Sequence, residues 1–322
     1  MTQHWSDYWK QGYVTSFGSE LQQNYQGELK VIWETFATKL PANFNLLDLC
    51  TGNASLPLLI QDCLSQHDTN GQIIAVDQAQ VNLDPNRHTN SNIDIKLISG
   101  VNCEVLPFES ETFDFCISQF GIEYSSILLT LSEIARVLKI KGQCLFVLHH
   151  IDSRILKANQ KIYQFITQPY VQSLLGNMSK LIVAMGEVQT HDDVIKIKQN
   201  KECEALRHQI NKDIKSLVQT DESTAKESEL MMYVGQFFTQ GMFWPVSRKN
   251  EFIDFIEQEI SSSKQRLCEL INAAVDNQKL NSILCEASKL NLVVLRSDMV
   301  VEGGEPIAYI LSLQKDNTDK KP

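Results

Sequence analysis

Between residues 43 and 150 the chain alternates short apolar runs with stretches of helical period. Phe44–Leu49 and Gln72–Asp77 are apolar runs, the first containing an acid and the second ending in one. Ile93–Ile98 alternates apolar and polar positions with period two, and Phe113–Ser118 and Gln143–Leu148 are two more runs of strand length. Between these last two, Leu128, Leu131, Ile134, Ala135 and Leu138 fall on one helical face over Ile127–Leu138. Gly142, after Lys139 and Lys141, marks a helix stop. Mostly apolar strands separated by helices predict a parallel sheet covered on both faces.

The flanks differ from this core. Residues 1–40 are rich in aromatics, and Trp5, Tyr8, Trp9 and Tyr13 follow helical spacing, so an N-terminal helical cap is expected. From 151 to 290 the pattern is helical throughout. Cys203, Leu206, Ile210, Ile214 and Leu217 form one buried stripe, Phe252, Ile256 and Ile260 form another, and the polar stretch Gln219–Glu229 reads as a loop. Leu292–Arg296 and Ile307–Leu313 then flank a turn at Gly303–Pro306, which predicts an antiparallel hairpin. The organisation expected is therefore a cap (1–40), a core (41–150), a helical insertion acting as a lid or substrate domain (151–290), the rest of the core (291–316) and a polar tail (317–322).

Charge narrows the partners. The 322 residues carry a net charge of −10. The insertion, with 17 basic and 18 acidic side chains, is nearly neutral, so the acidity lies elsewhere. Neither zone has the basic stripe that phosphate neutralisation requires, so a nucleic-acid partner is not expected. No apolar run reaches the roughly 18–20 residues that span a bilayer, and the first residues lack a leader's basic-then-apolar order. A soluble protein of the cytoplasm is expected. The eight cysteines include no C-x-x-C pair, so no metal site is expected, only small buried thiols in a reducing compartment.

The chemistry concentrates at two strand ends. Leu46–Ala54 holds an acid, Asp48, followed by a turn whose Gly52 permits close backbone approach to a ligand. Asp77, ending the next strand, is placed to accept hydrogen bonds from both hydroxyls of a ribose. The G-x-G-x-x-G turn of nicotinamide dehydrogenases is absent.

Taken in order, several segments resemble the class I S-adenosylmethionine-dependent methyltransferases. Asp48–Ala54 resembles the family's acid and glycine-rich turn, and Val76-Asp77-Gln78 its ribose-binding acid and neighbour. Asn102–Phe108 with Thr112-Phe113-Asp114 resembles the adenine-lining segment. Arg136–Lys139 with Gly142 resembles the helix ending before the fifth strand, and the late hairpin the family's reversed seventh strand. The resemblance covers roughly residues 44–150 and 290–315. It implies a Rossmann-like, doubly wound α/β sheet of seven strands with an antiparallel C-terminal strand, interrupted by the helical insertion.

The same resemblance implies S-adenosyl-L-methionine as cofactor. Its expected contacts are Asp48, Cys50, Gly52, Asn53, Asp77, Gln78, Asn102, Cys103 and Ser118. Two of the motif's usual glycines are replaced, by Cys50 and Ala54, so Cys50 must adopt a backbone angle compatible with a side chain. The amide of Asn102 stands where related enzymes carry an acid and still offers an acceptor.

Catalysis requires mainly alignment and exclusion of water, with a general base only if the acceptor loses a proton. Candidates near the ends of the fourth and fifth strands are Glu123, Tyr124, His149 and His150. The two histidines point to opposite strand faces, so at most one reaches a pocket. Ser118–Gly121 stands where base-amino methyltransferases carry Asn/Asp-Pro-Pro-aromatic, which argues against a nucleic-acid acceptor. Tyr13 and Phe17 are the candidates for acceptor contact. A small-molecule acceptor is expected. Protein methylation, or a regulatory protein that holds the cofactor or S-adenosylhomocysteine without turnover, remains as an alternative, and the oligomeric state is open.

Overall fold

A computed structural model describes residues 3–16, 24–83 and 92–317, so Phe17 and most of the tail lie outside the described residues. Helices α1 (Gln3–Lys10) and α2 (Gly27–Ala37) precede β1 (Asn43–Leu49). Next come α3 (Ser55–Leu64), β2 (Asn70–Asp77), β3 (Ile93–Ser99), β4 (Phe113–Gln119), α4 (Ile127–Val137) and β5 (Leu138–His149). A helical run follows: α5 (Arg154–Ile166), α6 (Pro169–Met185), α7 (His191–Gln199), α8 (Lys201–Thr220), α9 (Glu222–Glu227), α10 (Glu229–Gln240), α11 (Val246–Ala273) and α12 (Asn277–Lys289). The chain closes with β6 (Leu292–Glu302) and β7 (Glu305–Lys315).

The seven strands form one sheet in the order β3-β2-β1-β4-β5-β7-β6. The pairs among β1 to β5 are parallel, and β7 runs antiparallel to both β5 and β6. This is the doubly wound, Rossmann-like sheet with a reversed last strand. Successive strands step outward from β1 to β3, and the chain then returns to pair β4 with β1. That reversal opens a crevice at the carboxyl ends of β1 and β4, where such sheets bind ligands.

Both faces of the central strands are buried, as their apolar runs require, whereas the edge strand β6 is exposed from Val293 to Met299. On β1, Leu47 and Leu49 pack with Leu131 and Ile134 of α4 and with Ile283 and Ala287 of α12. Leu46 points the other way, among Leu29 and Trp33 of α2 and Leu56, Leu59 and Ile60 of α3. Asp48 shares the parity of Leu46, so the pleat turns its carboxylate inward beneath α3.

Three expectations need correction. Leu128 is not on the buried face of α4 but 51% exposed. The segment taken as a helix stop, Lys139–Gly142, belongs to β5, which pairs with β4 across a register shift between Phe113 and Phe115. Lys141 there takes φ +66°. The stretch Gln219–Glu229 is not a loop, because Asp221 caps α9 by accepting from the Thr224 N–H at 3.1 Å.

The chain divides into two units, residues 1–156 with 269–322 and residues 157–268. The second is narrower than the 151–290 insertion. Segments 151–156 and 269–290 group with the sheet because α12 covers one of its faces. The helical unit has its own core, which includes Phe165, Leu174, Met178, Phe237 and both stripes read from the sequence. No described helix is long and apolar enough to cross a membrane.

Candidate active site

The carboxyl ends of four strands, β1 to β4, and α1 surround a cavity of about 560 Å³, within the ~300–1,000 Å³ of small-molecule sites. The β1–α3 turn forms its base. Cys50, Gly52 and Ala54 all take left-handed φ, at +56°, +56° and +62°. The two positions that lack the family's glycine thus adopt the backbone a glycine would, at a cost of about 1–2 kcal/mol each. Gly52 itself has no alternative, since a Cβ there would lie 2.5 Å from the Trp9 indole. At Gly121 a Cβ would collide with that of Cys50.

Asp77 braces this turn. Its Oδ2 accepts from the Gly52 N–H and its Oδ1 from the Ala79 N–H, both at 2.8 Å. Burial raises its pKa, and the backbone donors partly oppose the rise. Each oxygen retains a lone pair, and Asp77 lines the cavity beside Gln78, Asn102 and Cys103. Asn102 Oδ1 accepts from the Glu104 N–H at 2.9 Å, which fixes that loop as an Asx turn.

Asp48 lies deeper, against a side cavity of about 30 Å³ that it shares with Tyr25, Thr51 and Gln119. Its Oδ2 accepts from the Thr51 hydroxyl at 2.5 Å, while Oδ1 has no partner. Gln119 Nε2 is likewise unpartnered in the same side cavity. Burial lifts the Asp48 pKa to about 8, and the nearby Asp77 charge adds to the rise. An unsatisfied buried carboxylate costs stability unless a ligand cation reaches it.

The two thiols at the cavity wall are paired. Cys50 Sγ lies 4.0 Å from Cys103 Sγ and donates to it, and Cys103 also contacts the Thr130 hydroxyl at 3.6 Å. The Cys50 donor pulls the Cys103 pKa down to about 6, and the same bond with burial raises that of Cys50.

Not every expected residue reaches the cavity. Asn53 is a clamp: Nδ2 donates to the carbonyls of Trp9 and Tyr13 at 2.9 and 2.8 Å, and Oδ1 accepts from the Asn82 N–H at 3.0 Å. Ser118 is fully buried and donates to the Leu49 carbonyl at 2.9 Å. Tyr13 lies past the end of α1, where Gly12 takes φ +84°, and packs on Tyr8 instead of lining the cavity. Among the catalytic candidates, Glu123 and Tyr124 line it. The Glu123 carboxylate, however, is wholly buried and turned toward His149, with Oε2 unpartnered. His149 is buried against Phe120, and the His150 ring lies 4.3 Å from that of Tyr309 at a tilt, so neither histidine lines the cavity.

Other lining residues were not among the expected site residues. Trp5 and Trp9 stack at 6.3 Å, and Trp5 meets Tyr124 edge-on at 5.8 Å. Glu269, from α11, accepts from Trp5 Nε1 at 2.7 Å and sits 3.0 Å from His4 Nε2. The α1 spacing showed that an aromatic face exists. Nothing local marked Glu269, which meets α1 from more than 260 residues away in sequence.

The site fits S-adenosyl-L-methionine. Asp77 and Cys50 line the cavity, where a carboxylate suits a ribose, Gly52 is packed under Trp9 and does not reach the cavity, and a ligand cation close to Asp48 would bring down its raised pKa. Residues 20–196 match the model of the ubiE/COQ5 methyltransferase family, more than half of the chain. No curated protein matches. Among solved structures, the chain is similar to a chain of the complex between the Haloferax volcanii Trm112 methyltransferase activator and a methyltransferase (20% identity, TM-score 0.28, 37% of this chain). It spans 52% of that protein's length. A SAM-dependent methyltransferase from Methanosarcina mazei matches at 11% identity and TM-score 0.36, over 88% of this chain and 97% of that one. A geranyl diphosphate methyltransferase solved with GPP and sinefungin matches at 9% identity and TM-score 0.40, over 89% and 76%.

Proposed function

Because the chain belongs to the ubiE/COQ5 methyltransferase family, we propose that it transfers the methyl group of S-adenosyl-L-methionine to a small molecule bound in the cavity described above. The observation that carries this reading is the make-up of the wall. Asp77, Gln78, Asn102 and Cys103 account for the cofactor, while Trp5, Tyr124, Glu269 and Asn272 form further wall outside that set. Trp5 touches both Tyr124 and Glu269, so this part is a built surface. It suits a compact acceptor with an apolar face and a proton to lose.

When bound, the cofactor supplies a methyl activated on a sulfonium, whose leaving group departs as a neutral thioether. The residues of the chain align and shield. Asp48 and Asp77 fix the cofactor end, and the Trp5–Trp9 stack keeps water from the reacting centre. Glu269, held by Trp5 and His4, is the carboxylate in the acceptor wall and takes the acceptor's proton where one must leave. Tyr124 stays protonated, because burial raises its pKa well above the usual value, and serves as a donor. The Glu123 carboxylate, turned away from the cavity toward His149, positions the turn on which Tyr124 sits.

The test is release of S-adenosylhomocysteine from purified protein given cofactor and a fractionated small-molecule extract. Turnover should be lost in Trp5→Ala and Glu269→Ala while calorimetric affinity for the cofactor persists. Methyl label appearing only on proteins would favour a protein acceptor, and tight cofactor binding without product in any fraction would favour a non-catalytic binder.

A further inference from the structure

The cofactor turn carries a cysteine at a left-handed position where the backbone prefers glycine, and that cysteine faces a second one. Cys50, at φ +56°, bears the strain of a side chain in this region, yet its sulfur lies 4.0 Å from Cys103 and both residues line the same cavity. Strain of this kind persists where surrounding structure over-determines it and often marks a functional position. We propose that Cys50 and Cys103 form an oxidation site, a thiol pair that hydrogen peroxide converts to a reversible disulfide across the cofactor cavity.

The chemistry balances. The Cys103 sulfur, as thiolate, attacks one peroxide oxygen; the O–O bond breaks, one oxygen leaves as water after taking a proton, and Cys103 becomes a sulfenic acid. The Cys50 sulfur then attacks the Cys103 sulfur and displaces the hydroxyl as a second water. Two electrons pass from the two thiols to the peroxide, and both thiol protons end in water. The surroundings favour this direction of attack. Cys50 and Thr130 both contact the Cys103 sulfur, and Ser125 extends the hydroxyl chain with a 2.6 Å bond to Thr130. The proton is thereby held on Cys50, and Cys103 has thiolate character well below the usual thiol pKa.

A disulfide requires the sulfurs to close from 4.0 Å to about 2.05 Å. That movement draws the β1–α3 turn toward the segment after β3, the two walls between which the cofactor would lie. Oxidation would then exclude cofactor, and bound cofactor would hinder oxidation. Cys116 and Cys144 supply an internal contrast. They face each other across β4 and β5 but are 0% and 1% exposed in the sheet core, beyond reach of an oxidant.

The experiment treats the full chain with hydrogen peroxide, maps cross-linked peptides by mass spectrometry, and measures affinity for S-adenosyl-L-methionine before and after dithiothreitol. The expected result is a Cys50–Cys103 cross-link, no Cys116–Cys144 cross-link, at least about a tenfold loss of affinity and recovery on reduction. Cys50→Ser and Cys103→Ser should each abolish the cross-link, and a melting curve confirms that each variant folds. Over-oxidation of Cys103 without a cross-link, or a cross-link that leaves affinity unchanged, overturns the proposal. The cavity's role as a cofactor site is read separately, from calorimetry on the reduced protein. Failure there with an intact cross-link refutes the methyltransferase reading and not the thiol pair.

Discussion

The Glu123 carboxylate accepts two hydrogen bonds from one residue, His149: the backbone N–H at 2.9 Å and the ring Nδ1 at 2.8 Å. The bonds tie the end of β5 to the short 3-10 turn Ile122–Tyr124 that follows β4. The side chains are 0% and 2% exposed, so the pair is a brace beneath the cavity floor.

Removing one partner of a buried ionisable pair leaves the other uncompensated, at about 3–5 kcal/mol. Glu123→Ala should therefore lower stability by roughly that amount in denaturant titration, with the m-value unchanged. If Glu123→Gln shifts the pH profile of turnover and leaves the melting curve where it was, the pair acts in the chemistry and the brace assignment is wrong.

Asp48 gives the apo protein a pH-dependent weakness. Its folded pKa, about 8, lies above the unfolded value near 3.9, so the folded state binds the extra proton between these limits. Stability is greatest below about pH 4 for this group and falls as pH rises toward 8. Asp48→Asn abolishes that term, so its melting temperature should exceed the parent's at pH 8 by more than at pH 5. The difference should correspond to at least about 1.4 kcal/mol, the equivalent of one pKa unit. The same variant should bind cofactor more weakly, because an amide, unlike the acid, cannot ionise when a ligand cation approaches.

Asp77 braces the turn, the proposed function adds ribose binding, and two variants test both. Asp77→Ala removes the bonds to Gly52 and Ala79 together with the acceptors proposed for the ribose. Cofactor affinity should fall at least about tenfold, given ~1.5–3 kcal/mol for each hydrogen bond to a charged group. Asp77→Asn keeps one acceptor oxygen and should lose less. Equal affinity in all three proteins by calorimetry would remove Asp77 from the site.

Asn53 fastens α1 over the turn through the carbonyls of Trp9 and Tyr13. Asn53→Ala should release residues 3–16, seen as faster amide exchange there and as altered tryptophan fluorescence from Trp5 and Trp9. The sheet should keep its protection, since Asn53 makes none of its ladder bonds.

Ala54 sits at φ +62° with no side-chain hydrogen bond to reward it. Ala54→Gly relieves about 1–2 kcal/mol of left-handed strain and costs roughly 0.4–1 kcal/mol through the freer unfolded chain. A gain of about 0.5–1 kcal/mol in thermal unfolding is expected.

The sequence by itself determined the sheet, the order of its strands' motifs and the acids at their ends. Those features are local: apolar period, a helix after a turn, a carboxylate at position 48 or 77, each legible within a few residues. It also marked Cys50 and Ala54 as departures from glycine, without showing that the turn would hold its shape. Tertiary structure decided which of these groups face the cavity. Asn53 and Ser118 lie in the right segments yet spend their hydrogen bonds on the backbone of α1 and β1, and His149 turns inward to Glu123. Glu269 and the Cys50–Cys103 pair are contacts between elements distant in sequence. Spacing carries no trace of such contacts, because the direction of a side chain is fixed by what packs around it once the sheet and its helices have closed.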